Sequence, residues 1–158
     1  MDHPMGVIAT GALLGYLHET QKSSLDHLMH IEAYETSEFM IIDSSSRRNL
    51  ELCETLRDKQ KKGSLLWVLD KTKTAMGARM LRNMVEQPLV DKKKIEERYD
   101  AVTTRTDQTI VREELREYLN PIYDLERLMT KVSYKTANPR DMIAFKTSLE
   151  LLPAIKTV

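Results

Sequence analysis

Residues 63–88 read GSLLWVLDKTKTAMGARMLRNMVEQP, and this stretch decides the fold. Ser64 is placed to cap a short helix running to Leu69, because a serine hydroxyl accepts an N–H from the first turn. Thr74 is placed to cap a second. The apolar residues that follow, Ala75, Met76, Met80, Leu81, Met84 and Val85, recur at helical spacing and share one face. Pro88 ends this helix, since proline has no N–H to give to the helical ladder.

Toward the C-terminus the same grammar repeats. Asp91 predicts the cap of a helix with Ile95, Tyr99 and Val102 inward. Asp107 predicts the cap of another, with Ile110, Val111, Leu115, Tyr118 and Leu119 inward. Asn120-Pro121 breaks the chain. Asp124 to Val132 carries Leu125, Leu128, Met129 and Val132 on one face. Asn138-Pro139-Arg140-Asp141 is a helix start, with an N-cap, a proline in the first turn and an acid at the third position. Met142, Ile143, Phe145, Leu149 and Leu152 follow.

Toward the N-terminus the pattern changes. Val7, Ile8, Ala12, Leu13, Leu14 and Leu17 predict a helix over residues 6–20. Gly11 and Gly15 inside it each weaken it by up to about 1 kcal/mol relative to Ala, which predicts close packing of another backbone against them. Over residues 29–43, Met29, Ile31 and Ala33 alternate with His30 and Glu32. Phe39-Met40-Ile41-Ile42 is then a short apolar run bounded by Thr36-Ser37 and Asp43-Ser44-Ser45-Ser46, the pattern of a buried strand. Asn49-Leu50-Glu51-Leu52 is a candidate third strand. The expected fold is therefore mainly α with a small β element: a multi-helix bundle with a short antiparallel sheet near the N-terminal third.

The chain has 158 residues, of which 41% are hydrophobic and 30% charged, the composition of a globular domain. Lys plus Arg number 24 and Asp plus Glu number 24, a balance that argues against a strongly basic free-standing nucleic-acid binder. The single cysteine, Cys53, excludes an internal disulfide. No stretch approaches the roughly 20 apolar residues of a membrane span. The first residues lack the basic start of a signal peptide. The location expected from these features is cytoplasmic, with no membrane partner.

Catalytic and cofactor signatures are sparse. Gly6 to Gly11 has the glycine spacing of a phosphate loop but no lysine after it. His27 and His30, with Asp26 and Glu32 near, fall short of the ligand number a zinc site needs. Glu96-Glu97, Glu113-Glu114, and Asp124 with Glu126 lie beside Lys or Arg and read as solvated helix faces. Four basic clusters, Arg47-Arg48, Lys59 to Lys62, Arg79 with Arg82, and Lys92-Lys93-Lys94, are candidates for contact with DNA phosphate. The nine methionines fall mostly on faces expected to be buried, and Trp67 is expected to anchor the core or an interdomain contact.

Several strings resemble the MutS mismatch-repair family, in the family's order. Leu14-Gly15-Tyr16-Leu17-His18-Glu19-Thr20-Gln21 resembles the helix leading out of its connector domain. Met40 to Leu52, with Arg47-Arg48-Asn49-Leu50-Glu51, resembles the opening of its core domain. Gly63 to Asp70 and Thr72 to Leu81 resemble that domain's strongest stretch. Gln87-Pro88-Leu89, Ile95 to Val102, Asp124 to Leu128 and Ala137 to Asp141 continue it. Ser46 stands where the family usually has Thr, and it offers the same hydroxyl.

The resemblance implies a fragment. Residues 1–28 would be the tail of the connector domain and its linking helix. Residues 29–158 would be the first half of the core, or lever, domain, ending before the clamp insertion. Neither Phe39 nor Phe145 stands in the family's mismatch-reading Phe-x-Glu wedge, and the Walker A loop of its ATPase is absent. The fragment itself is then no enzyme and holds no catalytic, cofactor or metal residue, while the full-length protein would be a DNA-dependent ATPase using ATP and Mg. Partners implied for the full-length protein are double-stranded mismatched DNA, a MutL-type protein and a second copy of itself. The fragment alone is expected to bind DNA weakly or not at all.

The role implied is structural: a rigid link between the mismatch- and clamp-type DNA-binding regions and the ATPase. The residues expected to carry it are Leu65, Leu66, Trp67, Leu69, Met76, Met80 and Leu81 as packing residues. Asn49, Glu51 and Arg79 are candidates for interdomain or capping contacts. The competing readings are a helical module contacting DNA phosphates, and an independent helical enzyme, for which no convergent site is visible.

Overall fold

The computed structural model describes residues 3–21, 25, 28, 30, 31 and 36–157. The chain divides into two compact units, Met1–Thr36 and Ser37–Val158. The first holds one helix, α1 (Pro4–Gln21). Most of its apolar residues are exposed, Met5, Val7, Ile8 and Leu13 among them. A Cβ added at Gly11 or Gly15 would meet no atom of the described residues within 4 Å. The close packing expected at these glycines is therefore not found there. The Gly6–Gly11 spacing lies inside α1 and forms no loop.

In the second unit α2 (Ser44–Asn49) is followed by α3 (Leu65–Leu69), α4 (Ala75–Glu86), α5 (Lys92–Asp107), α6 (Thr109–Leu119), α7 (Leu125–Ser133) and α8 (Pro139–Thr157). The capping grammar accounts for most of the starts. Ser64, Thr74, Asp91 and Asp124 each accept the N–H three residues on, from Trp67, Gly77, Lys94 and Arg127. At α8 the cap is reciprocal: Asp141 N–H donates to Asn138 Oδ1 at 2.9 Å, and Asn138 N–H donates to Asp141 Oδ2 at 3.0 Å. Asp107 departs from expectation. It closes α5, and Gln108 stands at the start of α6 without a side-chain capping bond.

The short antiparallel sheet does not form. Among the described residues there is no strand, only one isolated antiparallel bridge between Phe39 and Leu89. Met40 N–H donates to the Pro88 carbonyl at 2.8 Å and Val90 N–H to that of Glu38 at 3.1 Å. The ladder cannot lengthen, because α4 ends at Glu86 and α5 begins at Lys92, leaving only a short extended link between them. The serines expected as a turn are instead a helix start. Asp43 accepts the Ser46 N–H at 2.9 Å and its hydroxyl at 2.7 Å, and so nucleates α2. Met29 and Ala33, from the other expected strand, lie outside the described residues.

The candidate third strand is a helix end. Glu51 N–H bonds the Arg48 carbonyl and Leu52 N–H bonds the Arg47 carbonyl, the two-bond Schellman closure of α2. Glu51 therefore takes a left-handed conformation, φ 49°. Lys135, φ 56°, closes α7 in the same way, with Lys135 N–H on Val132 and Thr136 N–H on Lys131.

Helix α3 packs on α4, α5 on α6, and both α6 and α7 on α8. The interior is small. Among the described residues the buried apolar side chains are Leu52, Leu66, Ile122 and Leu128. Tyr99, Val102, Ile110 and Ile143, expected inward, are exposed, as are Met40, Met80, Met129 and Met142. Pro153 lies inside α8 and offers no N–H to the Leu149 carbonyl one turn back. No helix among the described residues is long and apolar enough to cross a membrane.

Candidate functional site

Two constellations in the second unit bring together residues distant in sequence. The first is an ion-pair clamp. Arg79, near the middle of α4, donates from both terminal nitrogens to the two oxygens of Asp124, each at 2.7 Å. Its Nε and one terminal nitrogen also reach Glu126 Oε2, at 3.0 and 2.5 Å. The fork geometry matches a carboxylate in a way a lysine could not. Asp124 does two jobs at once, since it also caps α7. The Arg79 hydrogen bonds hold its carboxyl down at about 2, and Asp124 and then Glu126 push the Arg79 guanidinium above its ordinary value.

A second polar tie lies nearby in the chain. The Ser148 hydroxyl on α8 is fully buried. It accepts the Tyr123 N–H at 3.0 Å and donates to the Ala144 carbonyl at 2.9 Å. The Tyr123 N–H, just before α7, is thereby satisfied. Periodicity pointed to neither contact. Ser148 sits among the apolar residues of α8 as one more small polar residue.

The second constellation is a cleft of about 390 Å³ lined by residues of α2, the following loop and α4. The buried Leu52 is one of its lining residues. Also in the lining, the Cys53 thiol donates to Glu86 Oε1 at 3.2 Å, and Arg82 Nε donates to the same oxygen at 2.9 Å. Burial, and then the hydrogen bond to Glu86, push the Cys53 thiol up to about 11. Burial works against the charge on Glu86, but the Cys53 and Arg82 bonds outweigh it and hold the carboxyl below its ordinary value. A thiol so placed is protonated at neutral pH and is a poor nucleophile.

The residues expected to act as packing elements divide. Leu66 is buried, 3% exposed, and its N–H donates to the Leu52 carbonyl at 2.8 Å. Met76 and Leu81 are half-buried. Leu65, Trp67 and Leu69 are exposed, Trp67 at 46%, and Met80 is 59% exposed. Within this unit, then, Trp67 is no core anchor. Glu51 accepts the Leu56 N–H at 2.6 Å through its side chain and the Leu65 N–H at 3.0 Å through its carbonyl. Asn49 is the last residue of α2 and is exposed.

Of the basic clusters, Arg79 and Arg82 are engaged internally, as is Lys94, which pairs with Glu38 at 2.9 Å. Lys92 and Glu96 pair at 3.5 Å within α5. His27 lies outside the described residues, and among those described no group of three or more metal-ligating side chains forms.

The family model for MutS domain III matches residues 45–158, which contain the clamp, Ser148 and every lining residue of the cleft except Ser44. The chain belongs to this family. The MutS domain III match begins at the first turn of α2, and curated relatives extend the similarity almost to the N-terminus. The chain is 68% identical over 155 residues to the DNA mismatch repair protein MutS of Lachnoclostridium phytofermentans, covering 98% of this chain and 17% of that protein. It is 56% identical over 149 residues to that of Bacillus cytotoxicus (94% and 17%) and 52% identical over 152 residues to that of Alkaliphilus oremlandii (96% and 17%). The MutS domain III chain thus spans about a sixth of the length of these relatives.

Proposed function

We propose that this segment serves DNA mismatch repair as a non-catalytic structural and transmission element. In the whole protein it would link the mismatch- and clamp-type DNA-binding regions to the ATPase. Residues 1–28 then act as connector tail and linking helix, and residues 29–158 as the first half of the core. The whole protein takes ATP with Mg, duplex DNA carrying a mismatch, a MutL-type partner and a second copy of itself, in the cytoplasm.

The observation that supports transmission is the Arg79 clamp. It joins α4 to the start of α7 across 45 residues of chain. Movement delivered to one helix is then passed to the other as rigid-body motion rather than absorbed between them. Leu65, Trp67, Leu69 and Met80 are exposed apolar side chains, of the kind that neighbouring polypeptide covers.

The experiment uses the full-length protein. Trp67→Ala, and separately Arg79→Met, should leave ATP hydrolysis without DNA near its starting rate and reduce its stimulation by mismatched duplex. If both variants kept full stimulation, the transmission role would be wrong.

A second reading, direct contact with DNA phosphates through the basic clusters, draws on the exposed Arg48, Lys59, Lys62 and Lys93. Its signature is binding of duplex DNA by this chain that is blind to the mismatch and collapses with added salt.

A further inference from the structure

The Cys53 cleft shares no lining residue with the clamp and does not include the exposed Trp67. Its volume, about 390 Å³, lies within the range of roughly 300–1,000 Å³ typical of ligand clefts. Four cations line it: Arg47 and Arg48 from α2, Lys59 from the loop and Arg82 from α4. Against them stand two carboxylates, Glu54 and Glu86, and Glu86 is already held by Arg82 and Cys53. Among the described residues the side chains of Arg48 and Lys59 make no hydrogen bond or ion pair, and that of Arg47 uses only Nε, on the Ile42 carbonyl at 3.0 Å. Lys59 is held there in a left-handed conformation, φ 48°, by its N–H on the Thr55 carbonyl. Cationic groups gathered around a concavity with their donors unused call for an acceptor.

We propose that this cleft docks an acidic polypeptide segment from the part of the full-length protein outside these 158 residues, its carboxylates pairing with Arg47, Arg48 and Lys59. This rests on the reading of the chain as part of a longer protein. Charge complementarity selects an anion, because four cations face two carboxylates in the lining and guanidinium forks match carboxylates and phosphates bidentately. Pyrophosphate and duplex titrations separate a phosphate occupant from a carboxylate one. The apolar setting also favours polypeptide. Leu52 lines the cleft, and Leu50 and Leu56, close by in the chain, are 63% and 44% exposed. The relatives, about six times longer, supply ample chain for the occupant.

Cys53 gives the test, since it is the chain's single cysteine and lines the cleft. The rate of its alkylation by iodoacetamide is measured on this chain at about pH 9, where enough of the reactive thiolate forms, while short overlapping peptides, spanning the rest of the full-length protein, are titrated in. Inorganic pyrophosphate and a short DNA duplex are titrated in parallel. The expected result is protection by a peptide rich in Asp or Glu, lost when those residues are replaced by Asn or Gln. The double variant Arg48→Gln, Lys59→Gln breaks no bond within the described residues, so circular dichroism should be unchanged. It should weaken the protection roughly tenfold, through two lost charged contacts. Protection by no peptide, protection that survives neutralising the peptide, or stronger protection by pyrophosphate or duplex would each overturn the proposal. None of these outcomes bears on the Trp67 and Arg79 variants, so this idea and the transmission reading fail separately.

Discussion

Arg79 and Asp124 lie 45 residues apart in the chain and meet as a two-point fork, both contacts at 2.7 Å. Because Asp124 also caps α7, removing its charge and removing its cap are separable. Asp124→Asn keeps a capping side chain and breaks the fork. Asp124→Ala removes both and should cost about 1 kcal/mol more. In a cycle with Arg79→Met, measured by urea denaturation, the double variant should lose less than the sum of the two single losses. Strict additivity would mean the fork contributes nothing.

Acid should destabilise the chain over a defined range. Asp70, held by Lys61 and then Thr72, and Asp124, held first by Arg79, both titrate at about 2. Ser46 lowers Asp43, and Lys131 followed by the Asn138 N–H lowers Asp141. A depressed acid contributes its stability above its unfolded value and loses it as pH falls through its folded value. Thermal midpoints should therefore be level above about pH 5 and fall steadily between about pH 5 and 2. Asp70→Asn should flatten part of that fall. A midpoint unchanged down to pH 2 would contradict these assignments.

Ser148→Ala removes the hydroxyl that accepts the Tyr123 N–H and leaves a gap at a fully buried site. The expected loss is about 1 kcal/mol, the net contribution of an ordinary hydrogen bond. Ser148→Thr keeps a hydroxyl but adds a methyl at a fully buried site, so it should recover only part of the loss. Equal stability of Ala variant and parent by urea denaturation would remove the tie.

Two left-handed positions give opposite expectations. Gly63 has φ 96°, and a Cβ there would stand 3.1 Å from Thr55 Cγ2. Gly63→Ala should destabilise by more than about 1 kcal/mol. Lys135, at φ 56° with no glycine's freedom, should accept glycine with a gain of up to about 1 kcal/mol. Both follow from one thermal series, and a loss at Lys135→Gly would show that its side chain matters more than its backbone.

These cases also mark what the sequence made legible. Helix starts with a short polar cap, Ser64, Thr74, Asp91, Asp124 and Asn138, were readable because one side chain satisfies one N–H locally. Helix ends at Glu51 and Lys135 were hidden, because closure there rests on backbone bonds and uses residues that do not advertise a left-handed conformation. The expected sheet failed for a related reason. Phe39 to Ile42 has strand composition, but pairing depends on the partner, and the link through Pro88 is too short to extend it. The Arg47-Arg48 and Arg79 positions were visible as charge. Which of them finds a carboxylate at home, and which faces an open cleft, depends on contacts between α4 and distant parts of the chain that no local pattern encodes.

The small interior has a thermal consequence. Heat-capacity change on unfolding follows the apolar surface newly exposed to water, and for an ordinary domain it is about 12–15 cal/mol/K per residue. With Leu52, Leu66, Ile122 and Leu128 as the buried apolar side chains among the described residues, a calorimeter should read less than that here. Stability then varies weakly with temperature, without a sharp optimum, and melting spreads over a broad interval. Polypeptide laid over Trp67 and Met80 would steepen that curve.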